Sequence, residues 1–267
     1  MVLWVVAALC ISFMAIRNQT PDDRWIPFSD QASHLNAAMS IWHDGDLEFT
    51  RTDLERYQAM FPGANGPRGT FLKQGSEGQL FYAKPALYAL ASAPFYGAFG
   101  TAGFIILNLC MVWTMAILTQ RIARPVLGEA LSYPAAFSLF FIGPSIAWAT
   151  MIHPDLLIAL VLFLGGYLLL TQNRYPWLIL AGWLLGFALY EKPTFVILIP
   201  FLLLASGHFR LKPLCTVALA IVGGWASMTL INLGQDSNAL AYQGARFVLR
   251  GSPFPFEPGW TGPNFTG

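Results

Sequence analysis

Ser29-Asp30-Gln31-Ala32-Ser33-His34 stands near the start of the one long polar stretch, residues 17–100, in a chain otherwise made of apolar runs. An apolar-periodic run continues to Trp42 and gives way to His43-Asp44-Gly45-Asp46-Leu47. The stretch closes with Phe81-Tyr82-Ala83-Lys84-Pro85-Ala86-Leu87-Tyr88 and ends at Phe99-Gly100. It is rich in Gly, Pro and aromatic residues and holds most of the charge. Asp30 and His34 fall one helical turn apart, so they share a helix face. A long polar loop is costly to order, and such loops usually carry function. The apolar runs around it read as its support.

Composition agrees. Of 267 residues, 55% are hydrophobic and only 11% charged, against about 25% charged in soluble domains. With a mean hydropathy of +0.53, the chain belongs to the membrane class. A net charge of +1 argues neither for nor against a nucleic-acid partner, and none is expected. Cys10, Cys110 and Cys215 lie inside apolar segments, where they read as small buried hydrophobes. They form neither a disulfide framework nor a zinc pattern.

Residues 1–16 are apolar and precede Arg17, without a basic leader or an A-x-A cleavage site, and read as a short span. Further apolar segments follow at 102–119, 131–150, 156–171, 177–190, 195–206 and 214–233. None shows strand alternation, and backbone groups in lipid must be satisfied internally, so all are expected to be helices. The expected fold is an all-α integral membrane protein of about seven transmembrane helices, with a large first extracytoplasmic loop containing juxtamembrane helices. As a single membrane domain 1–267, it comprises a first span (1–16), an outer loop (17–101), further spans (102–233) and an outer tail (234–267). The tail reads as a loop cut short, and the chain as a fragment. Arg121, Arg124, Arg174, Arg210 and Lys212 share one side if residues 85–99 lie at the interface instead of crossing, and that side is the cytoplasm. Polar chemistry then gathers on the outer face.

The candidate residues follow from that placement. Asp155 sits at the outer end of a span. A carboxylate there can be a helix cap, but ionisable groups near spans are functional hypotheses by default. Lys84 and Lys192 each precede a proline at the border of an apolar helix. That suits a phosphate head group or snorkelling to the lipid surface. Arg246 and Arg250 in the tail could add to such a site. His34, His43 and His153 have no diagnostic metal spacing; a divalent ion would use Asp30, Asp155 or His153. Asn18-Gln19-Thr20 and Asn264-Phe265-Thr266 match the N-glycosylation pattern.

The order of Asp30, Gly45-Asp46-Leu47, Lys84-Pro85-Ala86-Leu87-Tyr88, Phe99-Gly100, His153-Pro154-Asp155 and Gly182-Trp183-Leu184-Leu185-Gly186 through Lys192-Pro193 resembles the GT-C superfamily of polytopic glycosyltransferases. The branch it most resembles holds the protein O-mannosyltransferases and lipid A aminoarabinose transferases. The resemblance implies an enzyme of the bacterial inner membrane that transfers a sugar, with inversion, from a polyprenyl-phosphate donor to a glycan, lipid or protein acceptor outside. Asp30 matches the general base and Asp155 the second acidic position, which orients the acceptor or a metal. Lys84 and Lys192 match positions that hold the donor phosphate, with His34 and Arg246 as further substrate contacts. Gln31 and Ala83 stand where the family often has acidic or histidine side chains. The alternatives are a non-catalytic or truncated assembly subunit, or a polytopic carrier.

Overall fold

The computed structural model describes residues 2–17, 26–62, 64, 66–75, 78–207, 211–236 and 246–248. It is mostly helical. In chain order the elements are α1 (Val2–Arg17), α2 (Asp30–His43), α3 (Arg51–Met60), β1 (Phe71–Gln74), β2 (Leu80–Tyr82), α4 (Leu87–Phe99) and α5 (Ala102–Phe137). A π-helical turn (Ser138–Ile142) leads to α6 (Ser145–Ala149), α7 (Asp155–Thr171) and α8 (Tyr175–Glu191). A 3-10 turn (Pro193–Ile197), α9 (Leu198–Ser206), α10 (Leu211–Asp236) and β3 (Arg246–Val248) complete the order.

The apolar segments picked from the sequence fall on helix, except that 131–150, expected as one span, is split into the end of α5, the π-helical turn and α6 by a break at Gly143 and Pro144, and 195–206 begins in the 3-10 turn. Among the described residues two helices are long and apolar enough to cross a membrane, Ala102–Ile142 and Leu211–Gly234. Val2–Arg17, Asp155–Thr171 and Pro193–Ser206 are apolar but shorter. The long α5 is interrupted at Gly128, where φ is 70° and ψ 172°. The left-handed φ, not crowding, selects glycine there, since a Cβ would meet nothing within 4 Å among the described residues. This break is the turn expected between two of the apolar segments.

The chain forms two compact units. The first comprises Met1–Ala15, Asn108–Ala149 and Pro154–Thr229. Its centre is the α7–α8 pair, joined by the short turn 172–174, with Leu168, Leu169, Leu178, Ala181, Leu185, Ile199 and Val217 in one buried cluster. The Gly182-x-x-x-Gly186 face of α8 meets α10. A Cβ at Gly182 would lie 2.5 Å from the Ala220 Cβ, and one at Gly186 2.2 Å from the Ile221 carbonyl oxygen. Small residues there let the two backbones approach. The other faces of α10 stay open: only 22% of its apolar window is buried. Leu219 is 72% exposed, in an apolar surface of the kind that marks contact with membrane or partner.

The second unit comprises Ile16–Leu107, Thr150–His153 and Leu230–Gly267. Its core is α2, buried without interruption from Ala32 to Ser40. α2 packs on α4, which buries Tyr88, Ala89, Ser92, Ala93 and Tyr96. α3 starts with a Thr50–Asp53 capping box, and its Tyr57 hydroxyl donates to the Pro27 carbonyl at 2.8 Å. Beside the juxtamembrane helices expected there, the outer stretch holds two strands that no expectation included, and with β3 from the tail they form an antiparallel sheet in the order β2-β1-β3. Leu72 pairs with Tyr82 on one side and Phe247 on the other. Strands of three and four residues are too short to display alternation in sequence. A second correction concerns the cysteines. Cys10, Cys110 and Cys215 are free but exposed, because they occupy the outward faces of apolar helices instead of the inward ones.

Candidate functional site

Asp30 is the first residue of α2, and the chain before it is clamped. Ser29 has φ 55°, an uncommon conformation for a residue with a Cβ, held only where surroundings over-determine it. Its N–H donates to the Arg68 carbonyl at 2.9 Å. Gly69, with φ 80°, passes so close that a Cβ there would be 2.8 Å from the Ser29 nitrogen. The Ser33 hydroxyl donates to the Ser29 carbonyl at 3.0 Å and accepts from the Phe71 N–H at 3.0 Å. The start of β1 and the first turn of α2 therefore fix each other, and with them the Asp30 carboxylate.

Lys84, just past β2, places its Nζ 2.8 Å from Asp30 Oδ1. The same ammonium lies 4.2 Å from the centroid of the Phe71 ring, a cation–π contact that holds it in place. His153 Nε2 lies 3.6 Å from the other oxygen, Oδ2. Behind them His34 is buried, edge-on to the Tyr88 ring at 5.4 Å and to the His153 ring at 6.3 Å. His153 and then Lys84 hold the Asp30 carboxyl well below the usual carboxylate range, against the opposing effect of burial. Burial, reinforced by the neighbouring His153 and Lys84, pushes His34 down to about 3, so it is neutral at pH 7. The result is an ionised, half-buried carboxylate with one ammonium and one imidazole on its two oxygens.

The first unit holds a second pair. The Lys192 ammonium, one residue past α8, donates to Asp155 Oδ1 on the first turn of α7. The two head an apolar cavity of about 730 Å³ lined by Ile158, Leu162, Phe195 and Phe201. A lysine at the mouth of an apolar groove is matched to an amphiphile with an anionic head.

Of the residues picked from the sequence, Asp30, His34 and Lys84 converge, and Asp155 joins Lys192. His153, read from sequence only as a metal candidate, proves to be a partner of Asp30. Tyr88, one turn beyond Lys84, was read as part of the Lys84–Tyr88 motif but not as a site residue; it lies on the buried face of α4. His43 is exposed and sits edge-on to Tyr96 at 6.1 Å. Asp46 has a structural task, accepting from the Ser40 hydroxyl at 2.8 Å and the Glu48 N–H at 3.1 Å. Arg246 lies on β3, but its side chain is outside the described residues, as are Arg250, Arg210 and both glycosylation matches.

Among the described residues no group of three or more His, Cys, Asp or Glu side chains is arranged to hold a metal ion. Lys84 stands beside Asp30 Oδ1, where a cation would otherwise bind. No family model, curated protein or solved structure matches the chain.

Proposed function

We propose that the protein is an integral membrane glycosyltransferase of the GT-C kind, with about seven spans and its site on the extracytoplasmic side. It transfers a sugar from a polyprenyl-phosphate donor to an external acceptor, with inversion. The reading rests on one observation above all: a fixed carboxylate, Asp30, with a lysine on one oxygen and a histidine on the other.

In this reading the donor phosphate attracts the Lys84 ammonium. Losing part of its ion pair, Asp30 becomes a stronger base, closer to what proton transfer needs. It takes the proton of the acceptor hydroxyl as that oxygen attacks the anomeric carbon. The bond from that carbon to the phosphate oxygen breaks on the opposite face. The electron pair leaves with polyprenyl phosphate, whose charge Lys84 stabilises. His153 keeps the carboxylate oriented, and neutral His34 with Tyr88 forms the dry wall behind it. Lys192 above its apolar cavity supplies a further place where phosphate and hydrocarbon chemistry meet.

One observation favours a non-catalytic assembly module: both candidate carboxylates are already matched by lysines, as in a purely structural ion pair. Sugar transfer from a synthetic polyprenyl-phosphate sugar in nanodiscs, with and without divalent metal, separates the two. Asp30→Asn is expected to lower transfer or donor hydrolysis by about a hundredfold or more. Equal turnover in the variant removes Asp30 as base, and donor binding without turnover in either protein supports the module.

A further inference from the structure

α1 and the two parts of α5, before and after Gly128, enclose another cavity in the first unit, about 260 Å³ in volume. Its wall is aromatic. Trp4 meets Phe137 at 5.1 Å, Phe137 stacks on Phe141 at 5.6 Å, and Trp113 meets Phe141 at 4.9 Å. The Trp113 Nε1–H is satisfied by the Ser12 hydroxyl at 3.1 Å, so that indole contributes its apolar body. Gln120, Arg121 and Tyr133 make up the polar part of the lining. Gln120 donates to the Ser132 hydroxyl at 3.2 Å, and Arg124 pairs with Glu129 at 2.9 Å. Arg121 is exposed and has no ion-pair partner among the described residues. An aromatic slot beside an unmatched guanidinium is complementary to an amphiphile whose head is a phosphate, which arginine engages through two parallel N–H donors.

We propose that this cavity seats an acyl chain of an anionic phospholipid of the cytoplasmic leaflet, with its phosphate on Arg121. The leaflet follows from the basic residues: Arg121 and Arg124 belong to the set that the positive-inside rule places in the cytoplasm, where anionic lipids draw such side chains. The inference uses the membrane placement proposed above but not the transferase chemistry. It is tested without any sugar donor, so its failure and that of the transferase reading are distinguishable.

Native mass spectrometry of the full chain, with phosphatidylglycerol or phosphatidylcholine of identical chains at equal concentration, is the test. The wild type is expected to retain phosphatidylglycerol about fivefold better. Arg121→Gln should erase that preference, Arg121→Lys should keep part of it, and Arg124→Gln should keep it, since Glu129 already occupies Arg124. Phosphatidylglycerol with brominated chains should quench tryptophan fluorescence, and less so in Trp4→Phe. Equal retention of the two lipids by the wild type overturns the proposal whatever the variants do. So does a preference that survives Arg121→Gln, or quenching unchanged in Trp4→Phe.

Discussion

Asp30 and His34 occupy one face of the same helix and respond to burial and neighbours in opposite senses. Asp30 is kept ionised by its partners, while His34 is kept neutral by burial. For His34, the unfolded imidazole titrates near 6.5 and the buried one near 3. Between those values the unfolded chain binds the extra proton, so stability falls as pH drops from about 6.5 towards about 3. Asp30 also loses stabilisation on acidification, but only below its ordinary value of 3.8. Burial raises the Glu48 and Asp53 carboxyls, which add their own pH dependence in this range, so it is the difference between wild type and a His34 variant from pH 6.5 down to 4 that reports His34. Tm measured across that interval should fall more in the wild type than in His34→Phe, which keeps an aromatic ring against Tyr88; an identical slope in both proteins would refute the assignment. Lys84→Gln removes the ammonium proposed to meet the donor phosphate, and should weaken donor binding by about tenfold. Equilibrium binding of the lipid-linked sugar checks this, and unchanged affinity would leave Lys84 as a structural partner of Asp30 alone. The Asp30–His34 spacing was legible in the sequence because helical periodicity is local. His153 as the second partner of Asp30 was not, since no local pattern links a span-end histidine to a distant first-turn carboxylate.

The glycine spacing in α8 has a mechanical consequence. A Cβ at Gly186 would sit 2.2 Å from the Ile221 carbonyl oxygen, a backbone atom that moves only if α10 moves. Gly186→Ala is therefore expected to destabilise by about 1–3 kcal/mol, the usual cost of overpacking. Gly234, also helical, has nothing among the described residues within 4 Å of its missing Cβ. Gly234→Ala should be neutral or stabilising by up to about 1 kcal/mol through helix propensity. Thermal unfolding of the two variants decides it; equal effects would show that the α8–α10 approach is not tight. Sequence reading recovered most of the helices because each apolar run is long and lacks strand alternation, and backbone groups in lipid must be satisfied within the segment. It missed the sheet because β1 and β2 are short and β3 joins from far along the chain, a pairing set by tertiary contact. Gly182 and Gly186 were read as part of a family motif, and their close approach to α10 gives that motif a packing reason.

At the scale of the whole molecule, in the membrane placement proposed above, the number of crossings between α3 and the Gly128 turn fixes the sidedness of the chain. α4 decides that number. It is 13 residues long and contains Pro94, short of the roughly 20 residues that span a bilayer. It buries Tyr88 and Tyr96 against other protein instead of presenting an apolar surface all round. If α4 lies at the interface, the chain crosses once between Glu55 and Glu129, and these residues face opposite sides. If α4 crosses as well, they face the same side and the basic cluster at Arg121 and Arg124 would be outside, against the positive-inside rule. Both positions are exposed, so each tolerates a cysteine in a background where Cys10, Cys110 and Cys215 are alanine. With a membrane-impermeant maleimide on intact spheroplasts, Glu55→Cys should react at once and Glu129→Cys only after permeabilisation. Labelling of both from outside would make α4 a crossing segment, undo the proposed seven-span topology, and remove the cytoplasmic placement on which the proposed phospholipid site at Arg121 depends.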